Sequence, residues 1–352
     1  MDDSAYQLNG IQQIGIGVSD LEVAWKWYRK AFGMDVPVFQ DRAEATLMKN
    51  YTGQKIHTRH AVLAMNMQGG GGFEIWQFTS RKPTRQLFPI HFGDLGIFAV
   101  KIRTRNIIRS LDWLTQHGAK ILTQPTVQPD GKSSYFIQDP FQNVFEIKEC
   151  DSWFSRGSHP MGGVLGVCIG VSDLDQSKKL YRDILGFEEE KYEHEQKIRD
   201  WNGVKVSVRR ILLSMKGNNP GAFGALLCRS QVELVQTMDR APKKLFQDRF
   251  WGDLGFIHCC LDVNGMDGIK ERAIAKGYAF TVDSQDSFDM GKAAGRFCYL
   301  EDPDETLIEM VETHKVPILE KFKWFLDLRK RNPRKNLPGF IVRMMALNRV
   351  KD

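Results

Sequence analysis

Four carboxylates stand out by their surroundings. Each lies alone between two apolar residues: Phe73-Glu74-Ile75, Phe145-Glu146-Ile147, Val232-Glu233-Leu234 and Ile308-Glu309-Met310. On a strand, successive side chains point to opposite faces, so the apolar pair would enter a core while the acid points away from it. Two readings stand. On one, the opposite face is wet and each Glu is a solvated strand residue. On the other, the acids face a shared enclosure, where a carboxylate can act as a general base and two side by side repel each other. A single triplet favours the first reading. Four at equivalent places weaken it, although duplication copies residues without copying purpose.

The elements that must position these acids come from an internal repeat. Ile14-Gly15-Ile16-Gly17-Val18-Ser19-Asp20-Leu21 matches Val167-Cys168-Ile169-Gly170-Val171-Ser172-Asp173-Leu174, an offset of 153 that also relates Tyr28-Arg29 to Tyr181-Arg182 and Gly33 to Gly186. Phe92-Gly93-Asp94-Leu95-Gly96 matches Trp251-Gly252-Asp253-Leu254-Gly255 at 159, and Asp139-Pro140 matches Asp302-Pro303 at 163. The drift places ten inserted loop residues in the second half.

Each half divides again. Residues 11–18 read as a strand, and Ser19-x-x-Glu22 is a capping-box signature. Leu21, Ala24, Trp25, Tyr28, Ala31 and Phe32 recur at helical spacing until Gly33 stops the helix. Strands over 61–67 and 73–78 follow, joined through a Gly69–Gly72 turn. The next quarter predicts a strand near 97–102, a helix near 106–117 ended by Gly118, a strand near 120–123, and a hairpin of 133–138 with 143–148. The pattern is β-α-β-β-β, four times over. The repeat also locates an equivalent position on each opening strand: Gln13, Ala99, Gly166 and His258. A lone strand His is ordinarily a hydrogen-bonded core residue; the pairing of His258 with Glu309 by repeat logic sets it apart. Gln12 would point to the opposite face from Gln13, unless the register slips by one.

The four modules, the Val-Ser-Asp-Leu…Tyr-Arg…Gly segments and the Asp-Pro-x5-Glu endings resemble the vicinal oxygen chelate superfamily, which includes glyoxalase I, extradiol dioxygenases, and fosfomycin- and bleomycin-resistance proteins. The resemblance covers about residues 8–313. It implies an α+β fold of four β-α-β-β-β modules forming two cupped mixed sheets with helices outside, plus a C-terminal helical tail. The first domain would span 1–150 (modules about 8–80 and 92–150), and the second 160–313 (modules about 162–240 and 251–313), followed by a basic, partly helical tail over 314–352.

The resemblance also implies a divalent metal held by Gln or His plus Glu from one module and His plus Glu from another. Gln13 with Glu74, and His258 with Glu309, make a complete set. Ala99 with Glu146, and Gly166 with Glu233, make a set that has lost both opening-strand ligands. Glyoxalase-like tandem proteins pair modules across the halves, which would give one intact site; dioxygenase-like proteins pair neighbours, which would leave two incomplete ones. The complementary survival of ligands favours crossing. Converging carboxylates raise each other's pKa, and a divalent ion (zinc, nickel, cobalt, manganese or iron) offsets both charges. The implied activity is that of a metal-dependent glyoxalase-like lyase or isomerase on a small substrate with vicinal oxygens, passing through an enediolate-type intermediate with Glu74 or Glu309 as the base. The rivals are an extradiol-type ring-cleaving dioxygenase, disfavoured by a single family-position His, and a metal-free small-molecule binding or resistance protein.

The remaining features narrow the class. The chain has 352 residues, 42% apolar and 26% charged, with a net charge of +6, ordinary for a globular protein. No apolar run is long enough for a membrane span, and the opening MDDSAYQLNG reads as neither signal nor transit peptide. The six cysteines show no CxxC spacing and read as reduced core residues of a cytoplasmic protein. The basic excess sits near the C-terminus, so whole-chain charge is weak evidence for nucleic-acid binding; the resemblance implies a small-molecule substrate as partner, with no nucleic acid and no membrane, and a monomer or homodimer is expected. His57, His60, His91, His117, His159, His194 and His314 match no family position and read as surface, turn or loop residues. The glycines at 69–72 lie between two strands, so they read as a flexible hairpin turn rather than a phosphate cradle. Ile318, Phe322, Phe325, Leu326 and Leu328 predict a short amphipathic helix docked outside the sheets; a lid over a cup, an anion clamp or a dimer contact are the alternatives.

Overall fold

The structure, a computed structural model, describes residues 6–216, 220–285, 288–289 and 293–351, the side chains at 288 and 289 excepted. Each quarter opens with a strand followed by a helix: Gln7–Gly17 and Leu21–Phe32, Gly96–Thr104 and Ile107–Gln116, Met161–Gly170 and Leu174–Asp183, Gly255–Asn264 and Met266–Ala275. Asp20, Asn106 and Asp173 cap the first three helices, each accepting from the backbone N–H three residues on. This satisfies a first-turn donor that has no partner inside the helix. The first cap is therefore Asp20 and not Ser19, because the helix begins one residue later than the capping-box reading requires. Gly265 caps the fourth helix without a side chain, and the Glu312 carboxylate accepts from the Gly265 and Met266 amides instead.

The strands pair across the duplication. One ten-stranded sheet has eight strands in a row, Val282–Asp283, Ala294–Glu301, Leu307–Leu319, Gly255–Asn264, Gln7–Gly17, Gly72–Phe78, Thr58–Met65, Val36–Glu44, with Phe288–Asp289 paired to Ala294–Glu301 and Trp324–Asp327 to Leu307–Leu319, so it joins the first and fourth modules. A nine-stranded sheet has eight strands in a row, Glu189–Arg199, Lys205–Ser214, Gln231–Thr237, Met161–Gly170, Gly96–Thr104, Val144–Glu149, Ser133–Gln138, Lys120–Ile121, with Thr126–Val127 paired to Ser133–Gln138, and joins the second and third. In each sheet two opening strands lie antiparallel at the centre, and each is flanked in parallel by the last strand of its own module.

Alternation then sorts the side chains. Ile14, Ile16, Phe73, Ile75, Cys259, Leu261, Ile308 and Met310 enter a core shared with residues of all four helices and of the other sheet. The repeated Tyr and Asp-Pro motifs tie the sheets together. Tyr28 donates to Asp139 at 2.7 Å and Tyr181 to Asp302 at 2.9 Å, each bond joining modules that belong to different sheets. The glycines at 69–72 are more than a turn. Gly163 N–H donates to Gly69 O at 2.7 Å, and a Cβ on Gly163 would lie 2.4 Å from Gly71 O, so two backbones meet there with no room for side chains.

The tail departs from the expected helix. The last strand of the fourth module continues to Leu319, and Trp324–Asp327 folds back on it, pairing Val316 with Leu326 and Pro317 with Phe325. Val316, Pro317 and Ile318 are all buried where the two strands pair. A helix forms later, at Gly339–Met344, followed by a 3-10 turn at Met345–Asn348. Rather than resting outside the sheets, this segment covers the first cup. Leu337 N–H donates to Ala222 O and Val350 N–H to Asp35 O, both at 2.9 Å, and Arg349 pairs with Asp35 at 2.8 Å. No described helix is long and apolar enough to cross a membrane.

Candidate metal centre

The central strands of the ten-stranded sheet bring four polar residues to its concave face. Gln13 lies opposite Cys260 and Gly15 opposite His258, while Glu74 flanks Gly15 and Glu309 flanks Cys260. The four side chains predicted from the repeat therefore meet, although they come from both ends of the chain. His258 Nε2 is 3.0 Å from Glu309 Oε2 and 3.4 Å from Glu74 Oε2, and Gln13 Nε2 donates to Glu309 Oε2 at 3.4 Å. His258 is fully buried, and Gln13, Glu74 and Glu309 are each less than a tenth exposed. A Cβ on Gly15 would stand 2.4 Å from His258 Cε1, so the imidazole fills the space that glycine leaves. Tyr299 Oη lies 3.4 Å from His258 Nδ1 and orients the ring from behind.

The electrostatics call for a counter-charge. Burial alone would keep the imidazole neutral, yet Glu309 and Glu74 outweigh it and push His258 up to about 9. Burial would raise Glu309, but His258 holds it below the usual carboxylate value. Two carboxylates and one imidazole thus crowd together, each largely buried. His258 Nε2 is near both acids but makes no hydrogen bond to either, and Gln13 Oε1 also has no partner. One ligand atom from each of Glu74, His258 and Glu309 lies within 4.8 Å of the others. Two carboxylates, an amide oxygen and an imidazole nitrogen, two of these atoms otherwise unsatisfied, are a donor set that fits a divalent cation of the zinc, nickel, cobalt, manganese or iron type.

Two chambers open on the acids, and Glu74 and Glu309 line both. The first has an empty volume of about 830 Å³, its mouth included, and apolar walls that include Phe39, Leu63, Leu226, Leu227, Phe297 and Met345. The second, about 790 Å³, is more polar, with Arg59, Glu44 and Ser284 beside Trp76, Trp251 and Tyr299. Gln12 also reaches the first chamber, contrary to the simple alternation expected. An irregularity between Ile11 and Gln13 turns it to the concave side, where Nε2 donates to Asp262 at 3.1 Å and Thr313 at 3.2 Å.

The second cup holds the remaining two acids but is filled from within. Lys101 flanks Glu146 and Cys168 flanks Glu233, the positions that Cys260 and Gly15, respectively, hold in the first cup. The fully buried Lys101 ammonium pairs with Glu146, and with Glu233 at 2.5 Å. Arg210 also pairs with Glu233, and Tyr192 donates to it at 2.9 Å. Burial opposes the lysine charge, but Cys168, Glu146 and Glu233 hold its pKa well above the ordinary value, and the cations around Glu233 hold that acid well below its own. Ala99 packs in an apolar cluster with Phe98, Cys168 and Val206, and a Cβ on Gly166 would meet Gln231 O at 2.2 Å.

A family model described as the Glyoxalase/Bleomycin resistance protein/Dioxygenase superfamily matches the chain twice, over residues 10–147 and 163–310. The chain belongs to this superfamily. Both matches end before the tail that walls the first chamber. Among solved structures, glyoxalase I from Zea mays is 15% identical, with a TM-score of 0.53 over 87% of this chain and 92% of that one. A candidate dioxygenase from Bacillus subtilis subsp. subtilis strain 168 is 14% identical, with a TM-score of 0.54 over 87% and 86%. At these identities the likeness shows the superfamily fold and nothing finer. A search of curated proteins returned no match.

Sequence reasoning missed Lys101, Tyr299, Arg59 and Met345. Lys101 was within reach, because it is two residues beyond Ala99 and so shares its face. Tyr299 and Arg59 have no repeat partner to mark them, and Met345 lies outside the duplication. Among the discounted histidines, His60 is buried on the strand Thr58–Met65 beside Gln40 rather than at the surface or in a loop.

Proposed function

We propose that the chain is a metal-dependent lyase or isomerase of glyoxalase type, acting on a small molecule that carries two neighbouring oxygens. The observation that carries this reading is the meeting of Gln13, Glu74, His258 and Glu309, with Gln13 Oε1 and His258 Nε2 left unsatisfied, at the floor of open chambers. A divalent cation held by these four residues would supply Lewis acidity, drawing electron density from the substrate oxygens and acidifying the C–H beside them.

The protein's own groups then divide the work. Glu309 is tied to His258 and Gln13, whereas among the described residues Glu74 has the longer approach to His258 at 3.4 Å and no second polar partner. Glu74 is therefore the better proton carrier. It takes the proton from one carbon and returns it to the neighbouring carbon, while the hydroxyl proton passes from one substrate oxygen to the other, so the isomerisation balances with no oxidant or reductant. Gln13 and His258 keep the geometry, and Tyr299 keeps the imidazole. A ring-cleaving oxygenase ordinarily uses two imidazoles and one carboxylate; this set has the opposite ratio.

The experiment is elemental analysis of protein purified without chelator, followed by equilibrium dialysis with zinc and nickel. One ion per chain, lost in His258→Ala, is expected. In D₂O, metal-loaded protein should exchange deuterium into hydroxyacetone without consuming O₂. Full exchange by Glu74→Gln would refute the assigned base, and the absence of any bound ion would refute the metal centre.

A further inference from the structure

The acid floor and the walls of the first chamber have opposite chemistry, and the walls have an unusual origin. Phe39 and Leu63 belong to the first module, but Leu226 and Leu227 come from a short helix, Gly224–Leu227, inserted in the third module. Met345 comes from the tail beyond the family match. These pieces are fixed in place: Leu337, Val342 and Met345 are buried, and Asn348 donates to Ile318 O at 3.1 Å. The chamber is therefore a built cavity with a rigid apolar wall. Among the described residues its charged lining is Glu74, Glu309 and Lys315, and the Lys315 ammonium lies 4.9 Å from the Phe325 ring. One cation against two acids is a poor receiver for a substrate carrying several carboxylates or phosphates. Such walls instead stabilise whatever removes apolar surface from water.

Building on the metal-centre reading above, we infer that the substrate is an amphiphile: a compact head with two neighbouring oxygens placed at Glu74 and Glu309, and an uncharged apolar body lying in the chamber against Leu226, Leu227, Phe297 and Met345. The third-module insertion and the tail thus select the substrate, while the first and fourth modules hold its reacting end.

The test is calorimetric titration of the full, zinc-loaded chain with straight-chain hydroxamic acids, from acetohydroxamic to decanohydroxamic acid, and with primary amides of the same lengths. The hydroxamates present two neighbouring oxygens, and the amides do not. In both series the affinity should rise about fourfold per added methylene until the chamber is full. At every length the hydroxamate should bind more tightly than the amide. A flat length dependence in both series overturns the apolar subsite. A normal length dependence with no hydroxamate advantage leaves the subsite standing and counts against the metal centre. Met345→Trp should weaken the longest hydroxamates at least tenfold and leave acetohydroxamic acid unchanged; an unchanged long-chain affinity overturns the assigned wall. One arm needs no variant: suberic acid monohydroxamate, with a carboxylate at the far end, should bind far more weakly than octanohydroxamic acid, and equal binding overturns the proposal.

Discussion

Gly15 and His258 face each other across the two central strands, and the imidazole occupies the volume a side chain at position 15 would need. Gly15 has no left-handed backbone to protect, so a substitution there acts through the ring alone. Gly15→Ala should displace His258 and weaken divalent-ion binding by roughly tenfold to a hundredfold, as loss of a supporting contact does at metal centres. Circular dichroism and urea unfolding should show the fold intact, with the loss appearing in equilibrium dialysis. Unchanged affinity would mean that His258 is not a ligand.

Glu74 and Glu309 should separate experimentally. Glu74→Gln keeps a ligating oxygen but removes the base, so metal binding should survive while deuterium exchange into substrate falls by about 10²- to 10⁴-fold. Glu309→Gln also disturbs the contacts with His258 and Gln13, so it should weaken metal binding more than Glu74→Gln does. Parallel metal analysis and exchange rates on both variants check this. Equal metal loss in the two variants would contradict the assigned division.

In the second cup Lys101 is the charge that balances Glu146 and shares Glu233 with Arg210. Lys101→Met should destabilise the fold by roughly 3 to 5 kcal/mol, the usual cost of stripping one partner from a buried ion pair. Adding Glu146→Gln should recover much of that, because Arg210 still balances Glu233. Urea unfolding of the two variants is the measurement. The wild-type chain should meanwhile bind a single divalent ion.

Stability should also carry a signature of the two Tyr–Asp ties. Burial pushes Asp139 and Asp302 up to about 6, more than the hydrogen bonds from Tyr28 and Tyr181 pull them down. The unfolded value is about 3.9, so between the two the folded state holds the extra proton. Each acid therefore contributes stability that is present at low pH and lost as pH rises toward about 6. Asp139→Asn removes one such term. Between neutral pH and about pH 4, the wild type should gain on the order of 2 to 3 kcal/mol relative to this variant. Urea midpoints across that range give the result, and a constant difference would rule the term out.

The sites differ in how far the sequence reveals them. Gln13, Glu74, His258 and Glu309 are legible because duplication copied their framework, and strand alternation then assigns a face to each. Gln12 is not, because an irregularity in pairing breaks the alternation locally. Lys101 escapes a search confined to ligand positions, since it acts by occupying space between acids rather than by aligning with a ligand. The tail misleads for a different reason. Ile318, Phe322 and Phe325 can be placed on a helical face, but the free edge of the extended final strand offers Leu319 and its neighbours backbone partners that local spacing does not reveal.

Met345 lies beyond both stretches that the family model matches. On the proposed reading, the ion seat lies within the four repeats, while part of the substrate wall lies outside them. Grafting a different chain end onto the same four repeats would redirect which compounds are accepted and leave the reacting groups where they are.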